Sequence, residues 1–164
     1  SGDHNMIAFD DLRKILLLEN VSDAMLGKMV PLLEMHVFGE RDIIFQQGDD
    51  AEMFYLLKEG KVLLEVDASD TISVSMGAMK AGFSFGWSSI FGEPYSFMAI
   101  CAETSEILMI NAEKILGLMQ ENHSMGFMVM QSLTRMMKNR MDRVEEQFLK
   151  AIKEHPDFES LLDE

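Results

Sequence analysis

The sequence predicts a mainly β protein whose antiparallel strands form a sandwich or barrel, with helices at both ends of the chain. Three features of the 164 residues support this class. Short runs rich in apolar and β-branched residues, separated by turn residues at intervals of about 8–12, fill residues 37–110. The connections between these runs are short, which favours antiparallel pairing. Helical patterns precede this region in residues 1–36 and follow it in residues 111–153.

The N-terminal segment, residues 1–36, carries the signals for two helices. The acidic pair at 10–11 is expected to cap a short helix over 12–18, and the Ser-Asp pair at 22–23 a second one. Pro31 falls inside the second helix and is expected to kink it or to restart it. The apolar residues of the second helix follow helical spacing, and they are Met25, Leu26, Met29, Val30 and Leu33.

The β region consists of short apolar runs separated by turns. A turn is expected at residues 67–70, where small and acidic residues interrupt the pattern. The runs predicted as strands are residues 43–45, 53–57, 62–66, 72–76, 98–102 and 107–110.

The C-terminal part, residues 111–153, predicts two helices and carries a pairing pattern. Asn111 is expected to cap a short helix over 112–119, and one long helix then runs to about Lys153. Two series that each repeat every seven residues interleave on the long helix: Met130, Met137, Val144 and Ala151, and Thr134, Met141 and Phe148. Such a double series predicts a seam between two helices.

This seam predicts a homodimer. The candidate interface residues are Met130, Met137, Met141, Val144 and Phe148. The alternative is that the same face packs on the β core, which we expect for residues 127–133. The final segment, residues 154–164, is an acidic tail without a cation.

Composition and charge exclude several classes of function. The net charge is −14, with 14 Lys and Arg against 28 Asp and Glu, which works against nucleic-acid binding, and no helix-turn-helix follows the long helix. The single cysteine, Cys101, suits a reducing compartment. Without a signal peptide or a long apolar run we expect a soluble, cytoplasmic protein with no membrane span. The sequence carries no catalytic motif, and its four histidines lack metal-ligand spacing, so neither an enzyme nor a metal site is predicted.

Four motifs in the same order resemble the cyclic nucleotide-binding domains of catabolite activator proteins and protein kinase A regulatory subunits. They are Ile-Phe-x-x-Gly-Asp at 44–49, Phe-Tyr-x-Leu-x-x-Gly-x-Val at 54–62, Gly-x-x-Phe-Gly at 82–86, and the segment Phe-Gly-Trp-Ser-Ser-Ile at 85–90. The last is similar to the phosphate-binding cassette of that family. The resemblance implies a β-roll of about eight strands, similar to a jelly roll or double-stranded β-helix, with a regulatory role. A ligand at the cassette would then reposition the C-terminal helix.

The cassette departs from the family pattern at the charged positions. The family pattern reads roughly Phe-Gly-Glu-x-Ala-Leu and, a few residues later, Arg-x-Ala. Here Trp87 takes the place of the Glu, and the Arg position falls on Ser96, or on Tyr95 with one gap. No Lys or Arg occurs anywhere between Lys80 and Lys114. The resemblance therefore supports the fold and weakens the expectation of the family's usual ligand.

Three interpretations of the cassette follow from its residues. It can be a pocket retuned for a more apolar and less anionic ligand, with aromatic walls. It can be filled by its own side chains, which would leave a dimerisation or interaction scaffold without ligand. It can also retain residual cyclic-nucleotide binding through amides of a short helix, expected to point outwards from residues 86–90, and serine hydroxyls. No cofactor is assigned beyond a possible cyclic nucleotide or other small ligand. The candidate ligand-binding residues are Phe85, Gly86, Trp87, Ser88, Ser89, Tyr95, Ser96 and Phe97.

Overall fold

The computed structural model describes residues 7–155 and Asp157, and it confirms the predicted fold class. Within these residues, eight antiparallel strands form two four-stranded sheets, with short helices before them and a long helix after them. Most of the predicted acidic tail, residues 154–164, lies outside the described residues.

The strands pair in sequence-distant combinations, as expected for a roll. One sheet has the order β1-β8-β3-β6 and the other β2-β7-β4-β5. All strand pairs in both sheets are antiparallel. The strands are β1 Leu33–Phe38, β2 Ile43–Phe45, β3 Met53–Glu59, β4 Lys61–Ser69, β5 Ile72–Lys80, β6 Ser84–Phe85, β7 Met98–Cys101 and β8 Ser105–Asn111.

A buried cluster of side chains from both sheets forms the core of this region. Alternation along the first half of β4 directs every second side chain to the core, which is why Val62 and Leu64 are buried. Cys101 is part of the core as a free thiol whose pKa is raised by burial. The other members of the cluster are Phe45, Tyr55, Leu57, Met79, Phe85, Tyr95, Ala99 and Ile107.

Five α-helices accompany the strands in the described part of the chain, and the caps predicted at two of them are confirmed. Ser22 Oγ accepts a hydrogen bond from the Met25 amide at 3.3 Å, and Asn111 Oδ1 accepts one from the Lys114 amide at 3.2 Å. The helices are α1 Phe9–Arg13, α2 Asp23–Met29, α3 Ser88–Phe91, α4 Ala112–Glu121 and α5 His123–Lys153.

The first helix differs from its prediction. It begins at Phe9 after Ala8, which makes no side-chain cap, and Asp10 and Asp11 lie within its first turn. Acidic residues favour the first turn as well as the cap, because the helix dipole attracts negative charge at both places. The predicted continuation to residue 18 is instead a separate 3₁₀ turn, Leu16–Leu18.

The predictions around Pro31 and at residues 67–70 also need correction. Helix α2 ends at Met29, and Pro31 lies in a 3₁₀ turn, Val30–Leu32, which confirms the predicted interruption. Leu33, predicted on the helix, is instead the first residue of β1, paired with β8, so the β region begins there rather than at Val37. The turn predicted at 67–70 is shorter, because β4 continues to Ser69.

The chain divides into two compact units, Ser1–Val129 and Met130–Glu164. The first unit holds both sheets, α1 to α4 and the first residues of α5. Among the described residues, the second unit contains the remainder of α5, as the sequence predicted for a long helix ending at Lys153. No helix in the described part of the chain is both long and apolar enough to span a membrane.

Candidate functional site

The segment that resembles a phosphate-binding cassette lies between β6 and β7. Strand β6 pairs with β3, which places Phe85 opposite Tyr55. Gly86 follows with a φ of 74°, and a Cβ atom built there would lie 2.8 Å from Cδ2 of Tyr55. Any other residue would therefore need the Tyr55 ring to move. Helix α3 follows directly, and Trp87 occupies its N-cap position.

Two of the candidate aromatic residues face the core. Phe85 is 1% exposed and Tyr95 is 5% exposed. The Tyr95 ring stacks on Phe45 with 3.7 Å between centroids, and the Phe85 ring stacks on Tyr55 at 5.0 Å. The Tyr95 hydroxyl donates to the Met53 carbonyl at 2.6 Å and accepts from the Met53 amide at 3.3 Å. These contacts attach the segment after α3 to the beginning of β3.

The other two aromatic candidates, Trp87 and Phe97, are half-buried. The indole N–H of Trp87 donates to Ser84 Oγ at 3.1 Å. Phe97 packs against the core cluster. Ser84, three residues before the tryptophan, was not among the sequence candidates. The sequence could have indicated this hydrogen bond, because the hydroxyl of Ser84 and the indole N–H of Trp87 are only three residues apart.

The serine hydroxyls of the cassette form hydrogen bonds within it. Ser88 Oγ and Ser96 Oγ lie 3.3 Å apart, so Ser96, one of the two residues that the sequence aligned with the arginine of the family pattern, contacts the first residue of α3. Ser89 Oγ donates to the Gly86 carbonyl at 2.8 Å and is buried. The hydroxyls predicted as ligand donors thus have partners inside the cassette.

The backbone amides of α3 only partly follow the prediction that they point outwards. The Ser89 amide donates to the Gly86 carbonyl at 3.2 Å, and the Ile90 amide donates to the Trp87 carbonyl at 3.0 Å. That prediction is wrong for these two groups, because a helix of four residues uses its amides to close its own turn. Fewer amides are therefore available for an anion than the sequence suggested.

The candidate interface residues lie along an exposed apolar stripe of α5. Their side chains are between 37% and 64% exposed, which large apolar side chains seldom are in such a row. Val129 and Leu133, on a different face, are buried. The stripe consists of Met130, Met137, Met141, Val144 and Phe148.

The two-sheet architecture and the order of the motifs are those of the cyclic nucleotide-binding class of domains. Residues 35–122, more than half of the chain, match the family model described as cyclic nucleotide-binding domain. The chain therefore belongs to the cyclic nucleotide-binding domain family, as the resemblance of its motifs indicated.

The chain is also similar in sequence to part of a curated plant protein. Potassium channel KAT3 of Oryza sativa subsp. japonica is 27% identical over 117 residues, which are 71% of this chain and 23% of the channel. This chain thus spans about a quarter of that curated relative.

Solved structures show the same fold at low sequence identity. A cyclic nucleotide-binding domain from Methylobacillus flagellatus KT has a TM-score of 0.70 and 18% identity, covering 84% of this chain and 80% of the other. The regulatory subunit of a cAMP-independent protein kinase A from Trypanosoma brucei has a TM-score of 0.71 and 14% identity, covering 85% and 50%.

Proposed function

We propose that this chain is a regulatory, non-catalytic domain that does not bind cyclic AMP or cyclic GMP through charged cassette contacts. The observation that carries the proposal is the hydroxyl pair of Ser88 and Ser96. Ser96, or Tyr95 with one gap, is the residue that the sequence aligns with the arginine of the family pattern. The Trp87 indole, bonded to Ser84, stands where the pattern has a carboxylate. Both groups that would hold a nucleotide are thus replaced by residues that form hydrogen bonds with nearby serines.

The loss of the arginine is large enough to matter. A hydrogen bond to a charged group contributes about 1.5–3 kcal/mol, so its absence lowers affinity by roughly 10- to 150-fold. Trp87 also removes the acceptor that ribose hydroxyls would use. Backbone amides attract phosphate, but two of those in α3 are occupied by the helix itself. These contributions support a cassette without appreciable affinity for either nucleotide.

Calorimetric titration with cyclic AMP and cyclic GMP tests this proposal. We expect no heat of binding from the wild-type protein at micromolar concentrations. The double variant Trp87→Glu with Ser96→Arg supplies both missing groups and should bind at least tenfold more tightly than the wild type. Ser88→Ala is the matched control, because it removes the hydroxyl pair without adding a charge. Micromolar binding by the wild-type protein would contradict the proposal.

A second candidate function is a sensor for a neutral, more apolar ligand at the same cassette. Phe91 at the end of α3 is 54% exposed, and Trp87 and Phe97 are half-buried, so aromatic surface is accessible beside the cassette. Helix α3 contacts α4, and α4 leads into α5 at Asn122. A ligand that shifts α3 has a covalent and packed route to α5. If the double variant gains no nucleotide affinity, two explanations are left: a sensor for a neutral ligand, or a cassette filled by its own side chains.

The exposed stripe of α5 supports the further proposal that the domain is a homodimer. Apolar side chains with heptad spacing associate because pairing removes their surface from water. Analytical sedimentation of Met141→Lys tests it, and we expect the mass to fall from dimer to monomer. Glu146→Lys changes an exposed position outside the stripe and should leave the mass unchanged. A wild-type protein that sediments as a monomer would contradict the proposed homodimer. Location in the cytoplasm and lack of nucleic-acid binding stay predictions.

A further inference from the structure

A cleft of about 220 Å³ lies where the N-terminal end of α2 meets the junction of α4 and α5. It shares no residue with the cassette or with the stripe of α5. Three of its eight lining residues are methionines, although methionine makes up only 16 of the 164 residues of the chain. The lining residues are Asn20, Val21, Ser22, Met25, Asn122, Ser124, Met125 and Met128.

The lining contains no charged side chain, although a quarter of the chain is charged. The cleft is partly open to solvent, but its lining offers no opposite charge to an ion, so it favours a neutral ligand over a charged one. Val21, Met25 and Met125 are buried and provide apolar surface, and Asn20, Ser22 and Ser124 are exposed. Thioether sulfurs make favourable contacts with aromatic rings. The walls therefore fit a neutral aromatic molecule.

Asn122 supplies a polar group with a weak partner. Its Oδ1 accepts from the Met125 amide at 2.9 Å and so caps α5, while its Nδ2 donates to the Met25 sulfur at 3.3 Å. A thioether is a weak acceptor, so an oxygen atom placed in the cleft would be a better partner for this amide group. The size is sufficient, since a cavity of about 150 Å³ accommodates benzene.

We propose that this cleft is a second ligand site, specific for a small neutral aromatic molecule that carries an oxygen acceptor. The ring contacts the methionines and the oxygen accepts from Asn122 Nδ2. Because Asn122 both ends α4 and caps α5, occupancy of the cleft acts on the junction between the two helices. The site is independent of whether the cassette binds a nucleotide.

Titration of protein labelled with ¹³C at the methionine methyl groups tests the proposal, with phenol as the probe. We expect saturable shifts at Met25, Met125 and Met128 and none at methionines elsewhere. Toluene lacks the oxygen and should bind about 2- to 12-fold more weakly than phenol, the value of one ordinary hydrogen bond. Benzoate carries a charge and should bind at least about tenfold more weakly.

Two variants separate the cleft from general surface binding. Ser124→Phe places a ring over the cleft and should abolish the shifts, while His123→Phe, at an exposed neighbour outside the lining, should leave them unchanged. Asn122→Ser keeps an oxygen for the cap of α5 but lacks the amide donor, so phenol should lose its advantage over toluene. Shifts that do not saturate, that spread to other methionines, or that survive in Ser124→Phe would overturn the proposal.

Discussion

Replacing Tyr95 with phenylalanine tests whether this side chain anchors the cassette to the core. The variant keeps the ring that stacks on Phe45 and removes the hydroxyl that bonds to both backbone groups of Met53. Leaving buried polar groups without a partner costs about 1–3 kcal/mol. Since Tyr95 is buried, we expect the free energy of unfolding to fall by that amount at neutral pH.

The same variant changes the response to alkaline pH. The two tyrosines of the chain, Tyr55 and Tyr95, are both buried. Burial is the main cause that raises the pKa of each phenol, and contact with Tyr95 raises the pKa of Tyr55 further. Unfolded phenols ionise near pH 10, while the folded protein retains these protons. The folded state thus binds more protons, so stability is complete below pH 10 and falls as pH rises above it.

The limiting slope is about 1.4 kcal/mol per pH unit for each phenol, so Tyr95→Phe should remove about that much from the alkaline slope. Urea unfolding at pH 7.5 and at several values from 10 to 11 measures both effects. Tyr55→Phe is the matched control, because it also removes one phenol but leaves the bonds to Met53 intact. Equal losses in the two variants at pH 7.5 would refute the anchoring role of the Tyr95 hydroxyl.

Two further substitutions test the backbone of the β-roll. Gly60→Ala should lower the free energy of unfolding by about 2–5 kcal/mol, because the residue has a φ of 101° and its Cβ would lie 2.7 Å from Cα of Ser105. The control is Gly117→Ala in α4, where a Cβ atom would have no neighbour within 4 Å. This variant should be slightly more stable than the wild type in the same urea experiment. Arg41 has a φ of 70°, so Arg41→Gly should stabilise by about 0.5–1 kcal/mol, the strain relieved minus the added entropy of the unfolded chain. A lower melting temperature of Arg41→Gly would show that the arginine side chain makes a compensating contact.

Six of the strands could be predicted from sequence because their signals are local, whereas β1 and β6 were not predicted. Each run of apolar residues is bounded by turn residues, and the long helix carries a regular repeat. The prediction that Leu33 lies on a helix was wrong because its spacing fits a helix as well as a strand. The pairing of Leu33 with Ile110 of β8 favours the strand. That contact joins residues far apart in the sequence, so no local pattern contains it.

Arg41 shows how backbone hydrogen bonds can stabilise a turn that a side chain disfavours. Its φ of 70° is in the left-handed region, which residues other than glycine seldom adopt. The Arg41 amide donates to the Cys101 carbonyl at 2.8 Å, and the Cys101 amide donates to the Asp42 carbonyl at 2.9 Å. These bonds to β7 hold the turn against the steric cost of the side chain.

The residues of the candidate site could be predicted, but not the directions of their side chains. Phe85 and Tyr95 were pocket walls in one interpretation of the sequence and filling side chains in another. They lie in the core, because aromatic rings beside a turn gain more from stacking on Phe45 and Tyr55 than from solvent. Ser88 and Ser96 can pair only if the chain after α3 turns back towards the start of that helix. The conformation of the entire loop between α3 and β7 determines this turn, so no local pattern predicts it.

The two substitutions that would restore a nucleotide site should not contribute equally. Ser96→Arg replaces a hydroxyl with a cation and gains about 1.5–3 kcal/mol from a phosphate, a factor of roughly 10 to 150. Trp87→Glu offers an acceptor to ribose but adds a negative charge, in a chain with a net charge of −14, close to where the phosphate would lie. We therefore expect Ser96→Arg alone to create measurable binding of cyclic AMP in calorimetry and Trp87→Glu alone to create none. If Trp87→Glu alone created binding, the bulk of the tryptophan, rather than the missing cation, would be what excludes the nucleotide.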